Sequence, residues 1–136
     1  MNFLEELKWR NLVKDITDED GLVKRMESKM TVYCGFDPTA DSLHVGHLQQ
    51  LILLKRYQQE GHHPIALIGG ATGMVGDPSG KASERTLQTL DVISHNVESI
   101  KHQIETILEV DSKEVTVLNN YDWLSKISMI ELLRDY

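Results

Sequence analysis

With 136 residues, 40% of them hydrophobic and 26% charged, the chain has enough apolar material for one modest domain or a piece of a larger one. No run approaches the roughly 18 apolar residues of a membrane span, and a net charge of −7 with no Lys/Arg-rich run argues against a nucleic-acid surface on this stretch, because it repels a phosphate backbone. A lone cysteine, Cys34, excludes an internal disulfide and fits a reducing compartment, and the mixed, charged start MNFLEELKWR does not read as a signal peptide.

In chain order, NFLEELKWRNLV places Leu4, Leu7 and Leu12 at roughly helical spacing. TDEDGLVKRMES predicts a second helix opened by Thr17, with acidic residues near the positive end of its dipole and Gly21 weakening it. MTVYCGF predicts a short buried strand stopped by Pro38. From Leu43 to about Glu60 the pattern is helical, with Val45, Leu48, Leu51, Ile52 and Leu54 or Lys55 on or beside one stripe and Gly61 as the stop. PIALIGG predicts a second strand, apolar throughout as a strand covered on both faces should be. GGATGMVGDPSGK reads as a glycine-rich loop too broken for regular structure. A long amphipathic helix follows, with Ile93, Val97, Ile100, Ile104 and Ile107 stepping by fours and threes. EVTVLNN predicts a third strand, and SMIE is a capping box in which Ser128 caps and Glu131 reaches back. A helix opened at Ser128 has eight residues before position 136, so the chain is expected to be the front part of a longer protein.

The alternation of strand and helix predicts an α/β fold, a Rossmann-like doubly wound parallel sheet with right-handed crossovers. Residues 1–29 form a helical segment ahead of it. Ligands of such sheets bind beyond the carboxyl ends of the strands, which here are CGFDPT, GGATG and NNYDW.

The stretch DPTADSLHVGHL then sets His44 and His47 at the start of the helix after the first strand. As metal ligands they share a helix face and have Cys34 nearby, but no HExxH pattern exists, and His62 and His63 lie about 25 Å away at roughly 1.5 Å per residue. As plain solvated residues they leave Gly46 unexplained, since glycine costs helix stability without a packing or approach reason. As an anion site they use all three features: free N–H groups and a positive dipole at the helix start, two imidazole donors, and room over Gly46 for a base or ribose. The glycine-rich loop is neither Walker A, because Val75 stands where a glycine is required and Ala82 replaces Ser/Thr, nor GxGxxG. Lys81 and Arg85, four apart, are either exposed cations or mobile groups able to reach a polyphosphate.

YCGFDPTADSLHVGHL together with PIALIGGATGMVGDPSGKASERTL resembles the bacterial type of tyrosyl-tRNA synthetase, with HVGH matching the HIGH signature of class I synthetases; the similarity extends over the whole chain. The resemblance implies activation of L-tyrosine with ATP to tyrosyl-adenylate and pyrophosphate, then transfer to tRNA(Tyr). It implies that His44 and His47 stabilise the pentacoordinate α-phosphate, that Thr39 lies on the γ-phosphate side, and that Lys81 and Arg85 close on the pyrophosphate. Gly35, Asp37 and Gly46 would lie against the adenylate. Tyr33 would bond the substrate phenol, Asp77 with Thr72 beside it would take the ammonium, and Asn120 would be a more distant pocket residue. Gln50 receives no role. Mg2+ is expected to accompany ATP without protein ligands, and the whole protein is expected to be a cytoplasmic homodimer with no membrane association.

Nothing here matches a GGSDQWGN-like strand end or a KMSKS-like lysine loop; LSKIS at 124–128 lacks the leading lysine. Residues 1–136 are therefore expected to carry only the HIGH-motif half of the site, to lack the tRNA-binding region, and to be at best feebly active alone. Two other readings stay open on the same residues: another class I-like nucleotidyltransferase, and a non-catalytic piece that keeps the fold.

Overall fold

A computed structural model describes residues 2–75, 89–110 and 114–135. The chain opens with α1 (Phe3–Trp9), started by a capping box in which Asn2 Oδ1 accepts from the Glu5 amide and the Glu5 carboxylate accepts from the Asn2 amide, each at 2.8 Å. Leu4 and Leu7 are its buried residues. In α2 (Glu19–Met26) the cap is Asp18 rather than Thr17, its Oδ1 accepting from the Gly21 amide at 2.9 Å. Both residues suit a cap, and the carboxylate reaches the turn one residue later.

Three strands follow, separated by helices: β1 (Thr31–Phe36), α3 (Val45–Gln59), β2 (His63–Ile68), α4 (Gly70–Val75), α5 (Leu90–Leu108) and β3 (Thr116–Asn119). Two short helices, α6 (Tyr121–Leu124) and α7 (Met129–Asp135), complete the described chain. The sheet is parallel in the order β1-β2-β3. Phe36 pairs with Ile68 and Ile68 with Asn119, so the three carboxyl ends finish level. Levelness matters because the backbone leaving each strand enters the same edge of the fold. The order advances in one direction, so among the described residues the strands supply a single wind.

α3 and α5 pack together on one face of this sheet. Phe36 of β1, Ala66 and Ile68 of β2, Leu51 and Leu54 of α3, and Ile93, Ile100, Ile104 and Leu108 of α5 make the core between them. Burying one such aliphatic side chain contributes about 1.5–3 kcal/mol. The amphipathic pattern of α5 is as its sequence predicts, with Ile107 half-buried at the stripe's edge.

The expected stripe of α3 is displaced. Val45, Leu48 and Ile52 are 82%, 42% and 47% exposed, and the inward row is instead His47, Leu51, Leu54 and Gln58. Its ends are polar, which is why apolar spacing misplaces it. The His47 ring stands edge-on to Phe36, centroids 6.0 Å apart, and Gln58 Nε2 donates to the Leu108 carbonyl at 2.9 Å. The two-sided cover expected for PIALIG is also absent among the described residues. Ala66 and Ile68 face the core, while Ile65 and Leu67 are half-buried on the other face beside Tyr33, which is 73% exposed.

The first residues of the glycine-rich segment form α4 rather than the loop expected for them. Its early N–H groups are satisfied from outside, by asparagines at the end of β3, and that support replaces intrinsic helix propensity. The Ser128–Glu131 capping box is present, with bonds of 3.2 and 2.8 Å.

Candidate active site

At the level carboxyl ends, backbone and side chains knit the three strand exits together. The Gly69 amide donates to the Phe36 carbonyl at 2.9 Å, and the Asn120 amide to the Ile68 carbonyl at 3.0 Å. Asp37, directly after β1, accepts from Thr72 Oγ1 at 3.3 Å. That approach depends on Gly69: a Cβ there would stand 2.3 Å from Asp37 Oδ1, which real side chains do not tolerate.

Asn119 and Asn120 brace the second exit. Asn119 Oδ1 accepts from the Gly70 amide at 3.2 Å and the Tyr121 amide at 3.1 Å. Asn120, 7% exposed, accepts from the Ala71 amide at 2.8 Å and donates from Nδ2 to Thr72 Oγ1 at 3.2 Å. Both of its polar atoms are thus engaged with α4, so Asn120 shapes the Thr72–Asp37 corner through bonds inside the protein. The pair is legible in NNYDW only as strand-ending asparagines; their capping of a distant helix has no local signature.

The histidines are arranged differently from two free imidazoles on a helix start. His44 is itself the N-cap of α3, with extended backbone. Its Nδ1 accepts from the Gly46 amide at 3.1 Å and the His47 amide at 3.4 Å, while His47 Nδ1 accepts from the His44 amide at 3.5 Å. The rings stack with centroids 3.7 Å apart and planes 20° from parallel. This is a capping box built from two imidazoles. Two N–H groups expected to face an anion are therefore already bonded to His44. An Nδ1 that accepts carries no proton, so each neutral ring holds its proton on Nε2 and keeps that N–H as the donor for a ligand.

Burial, then the neighbouring His44, lowers the pKa of His47 below its ordinary value, against an opposing pull from Asp37. The neutral form is thereby favoured. Gly46 gains a second reason for its identity, since a Cβ would meet the His44 ring at 3.0 Å from Cε1 and 3.1 Å from Nδ1. The His44 ring fills the direction a Cβ on Gly46 would take.

The segment delivering Thr39 and His44 is held at both ends by α5. Asn96 Nδ2 donates to the Pro38 carbonyl at 3.1 Å, and Gln103 Oε1 accepts from the Leu43 amide at 2.9 Å. Thr39 is exposed, its amide bonded to the Asp37 carbonyl at 2.9 Å. Tyr33 and Gly35 share the open face of β1, and a Cβ on Gly35 would meet nothing within 4 Å. Cys34 points to the opposite, core side, where burial raises its thiol pKa, countered in part by a backbone hydrogen bond at Gly35; a protonated thiol is a poor metal ligand. Gln50 is exposed on the groove flanked by Leu12 and Leu48. Asp77, Lys81 and Arg85 lie outside the described residues. The structure thus gathers Asp37, Thr72, Asn120, Thr39, His44, Gly46 and His47 at one edge, with Tyr33 and Gly35 on the adjoining sheet face.

Comparison with known proteins bears on this arrangement. Residues 24–136 match the family described as tRNA synthetases class I (W and Y). The chain is 52% identical over 138 residues to a tyrosine–tRNA ligase 2 of Bacillus cereus, covering 100% of this chain and 33% of that protein. It is 52% identical over 137 residues to tyrosine–tRNA ligase of Levilactobacillus brevis, covering 100% and 32%. Among solved structures, a C-terminally truncated Aspergillus nidulans mitochondrial tyrosyl-tRNA synthetase superposes with a TM-score of 0.80 at 33% identity, over 98% of this chain and 41% of that one. The chain spans about a third of the length of the curated relatives it matches.

Proposed function

Since this chain belongs to the class I tRNA synthetases (W and Y), we propose that it carries the phosphate-side half of a site that activates L-tyrosine with ATP, for later transfer to tRNA(Tyr). The substrate assignment rests on relatives named tyrosine–tRNA ligase at 52% identity. The observation that carries the chemistry is the reciprocal histidine cap, which leaves two parallel rings with Nε2–H donors at the carboxyl end of β1.

In the proposed step a tyrosine carboxylate oxygen attacks the α-phosphorus, the bond from that phosphorus to the bridging oxygen breaks, and pyrophosphate leaves. Charge grows on the α-phosphoryl oxygens, and donors already locked in place cost no reorganisation when it does. His44 and His47 are assigned to those oxygens, Thr39 to the pyrophosphate side, and Lys81 and Arg85 to the leaving group. Gly35, Asp37 and Gly46 are assigned to the adenylate. Tyr33, Thr72 and Asp77 are assigned to tyrosine. Asn120 supports Thr72. Mg2+ is assigned to the ATP phosphates, whose oxygens are the hard ligands it prefers; among the described residues no three His, Cys, Asp or Glu side chains converge.

The same reading makes the working protein a cytoplasmic homodimer. Met129, Ile130 and Leu133 of α7, 73–77% exposed, are apolar surface that such an interface would cover. Among the described residues no helix is long and apolar enough to cross a membrane.

His44→Asn tests the proposal in the full-length protein. Asparagine is a good N-cap, so folding should hold while the Nε2–H is lost. Adenylate formation should slow by about 100- to 1,000-fold, the usual effect of removing one such donor, with ATP affinity little changed. If ATP affinity falls and the rate holds, the transition-state role is wrong.

A further inference from the structure

We propose that Asn96 and Gln103 of α5 are positioning residues for adenylate formation, acting as a two-point clamp on the arm from Pro38 to Leu43. The inference rests on the activity proposed above. Their geometry is specific. The two amides sit seven residues apart, two turns of one helix, and therefore on one face. Each holds one end of the same arm: Asn96 Nδ2 donates to the Pro38 carbonyl at 3.1 Å, and Gln103 Oε1 accepts from the Leu43 amide at 2.9 Å. Asn96 is 4% exposed within an otherwise aliphatic row of Ile93, Val97, Ile100 and Ile104.

A polar side chain on that row costs desolvation unless its bonds matter, and a shorter apolar residue would satisfy packing alone. The arm contains no regular structure of its own: residues 37–44 lie between β1 and α3. Its far end is the His44 amide, the group that His47 Nδ1 caps, and the residue just before it is the one Gln103 holds. Thr39 lies one residue beyond the carbonyl that Asn96 holds. Releasing either end therefore displaces a phosphate-side group without touching any ligand. The effect falls on rate rather than binding, because misplacement of about 1 Å can cost about a hundredfold in rate.

Gln103→Met keeps length and volume but removes the acceptor, whereas Gln103→Glu retains an acceptor for the Leu43 amide. In the full-length protein we expect Gln103→Met to lower kcat for tyrosine-dependent ATP–pyrophosphate exchange by about tenfold to a hundredfold, with KM for ATP and tyrosine changed less than about twofold. Gln103→Glu should recover most of that loss. Amide hydrogen exchange at Leu43 should be faster in Gln103→Met, and the imidazole 15N shifts of His44 should move, at an unchanged far-UV circular dichroism spectrum. Asn96→Ser, which keeps a shorter donor, should produce the same kcat-selective loss through the other end.

The outcomes separate the two layers of the argument. A parent protein active in exchange whose Gln103→Met variant keeps its kcat, or loses KM in proportion, overturns the clamp alone. So does an unchanged Leu43 exchange rate. A parent protein with no tyrosine-dependent exchange overturns the proposed function, and the positioning role falls with it.

Discussion

Gly46→Ala isolates the histidine cap from the rest of the fold. The added methyl would sit 3.0 Å from His44 Cε1 and 3.1 Å from Nδ1, so the ring must withdraw by a few tenths of an ångström. The bond from the His47 amide is already 3.4 Å long, and a shift of that size breaks it. Loss of an N-cap costs about 0.5–2 kcal/mol, while replacing glycine by alanine inside a helix contributes about 0.8–1.0 kcal/mol in the opposite sense. The two nearly offset, and the melting temperature should change by less than about 4 °C. Activity should not be spared. On the assignment proposed above, a displaced His44 ring would no longer meet the α-phosphoryl oxygens, and adenylate formation should slow by about a hundredfold or more. Thermal unfolding and single-turnover formation of tyrosyl-adenylate on the same preparation make the comparison. A variant that keeps both its melting temperature and its rate would refute the reasoning. A variant that unfolds outright would place Gly46 in the core of the fold instead.

The pH response of His47 has a definite sign. Its folded-state pKa lies below the ordinary value of 6.5, so the unfolded chain binds the extra proton first and stability is lost as pH falls from that value through the folded pKa. Denaturant titrations from pH 7.5 to 5 should show that fall, weakened in His47→Gln, and an NMR titration midpoint at or above 6.5 would contradict it. Asn120→Ala should cost about 1–3 kcal/mol in urea unfolding, because it strands the Ala71 amide and a bond to Thr72. Asn120→Asp, which keeps the acceptor, should cost less. Tyr33→Phe, at a residue 73% exposed, should leave unfolding unaltered within about 0.5 kcal/mol and weaken selection of tyrosine over phenylalanine in pyrophosphate exchange; unchanged selectivity removes Tyr33 from the pocket.

The fold is legible wherever periodicity and burial coincide. The strand around Tyr33 and Cys34, the strand PIALI and the row Ile93, Val97, Ile100 and Ile104 are visible because apolar side chains carry most of their packing. Legibility fails where a polar side chain does a core residue's job. The inward face of α3 begins with His47 and ends with Gln58, so a hydrophobic count turns that helix toward Val45 and Ile52. It fails again where a helix draws its stability from another segment. α4 is written with glycines at 70 and 73, and its capping groups lie 49 residues away in Asn119 and Asn120. The candidate site divides the same way. Its histidines and Asp37 stand out by residue type, whereas Asn96 and Gln103 look like ordinary interruptions of an amphipathic face until the arm they hold is in view.

The cap also changes how the helix dipole of α3 takes part. A bare helix start offers backbone N–H groups and about half a positive charge to an anion. Here the Gly46 and His47 amides spend their bonds on His44 Nδ1, so the dipole reaches a ligand through the ring, polarising the remaining Nε2–H. The consequence is a donor fixed in tautomer by the cap and held at a defined angle, where a lysine would bring a mobile charge. In the proposed role such a donor would gain strength as charge develops on the phosphoryl oxygen and bind the ground state weakly, which is the differential a catalyst requires. Protonating either ring at Nδ1 would forfeit the cap and the donor geometry together. Burial and the neighbouring His44 lower the pKa of His47, and the ring they favour as neutral is the one whose Nδ1 closes the reciprocal cap on the His44 amide.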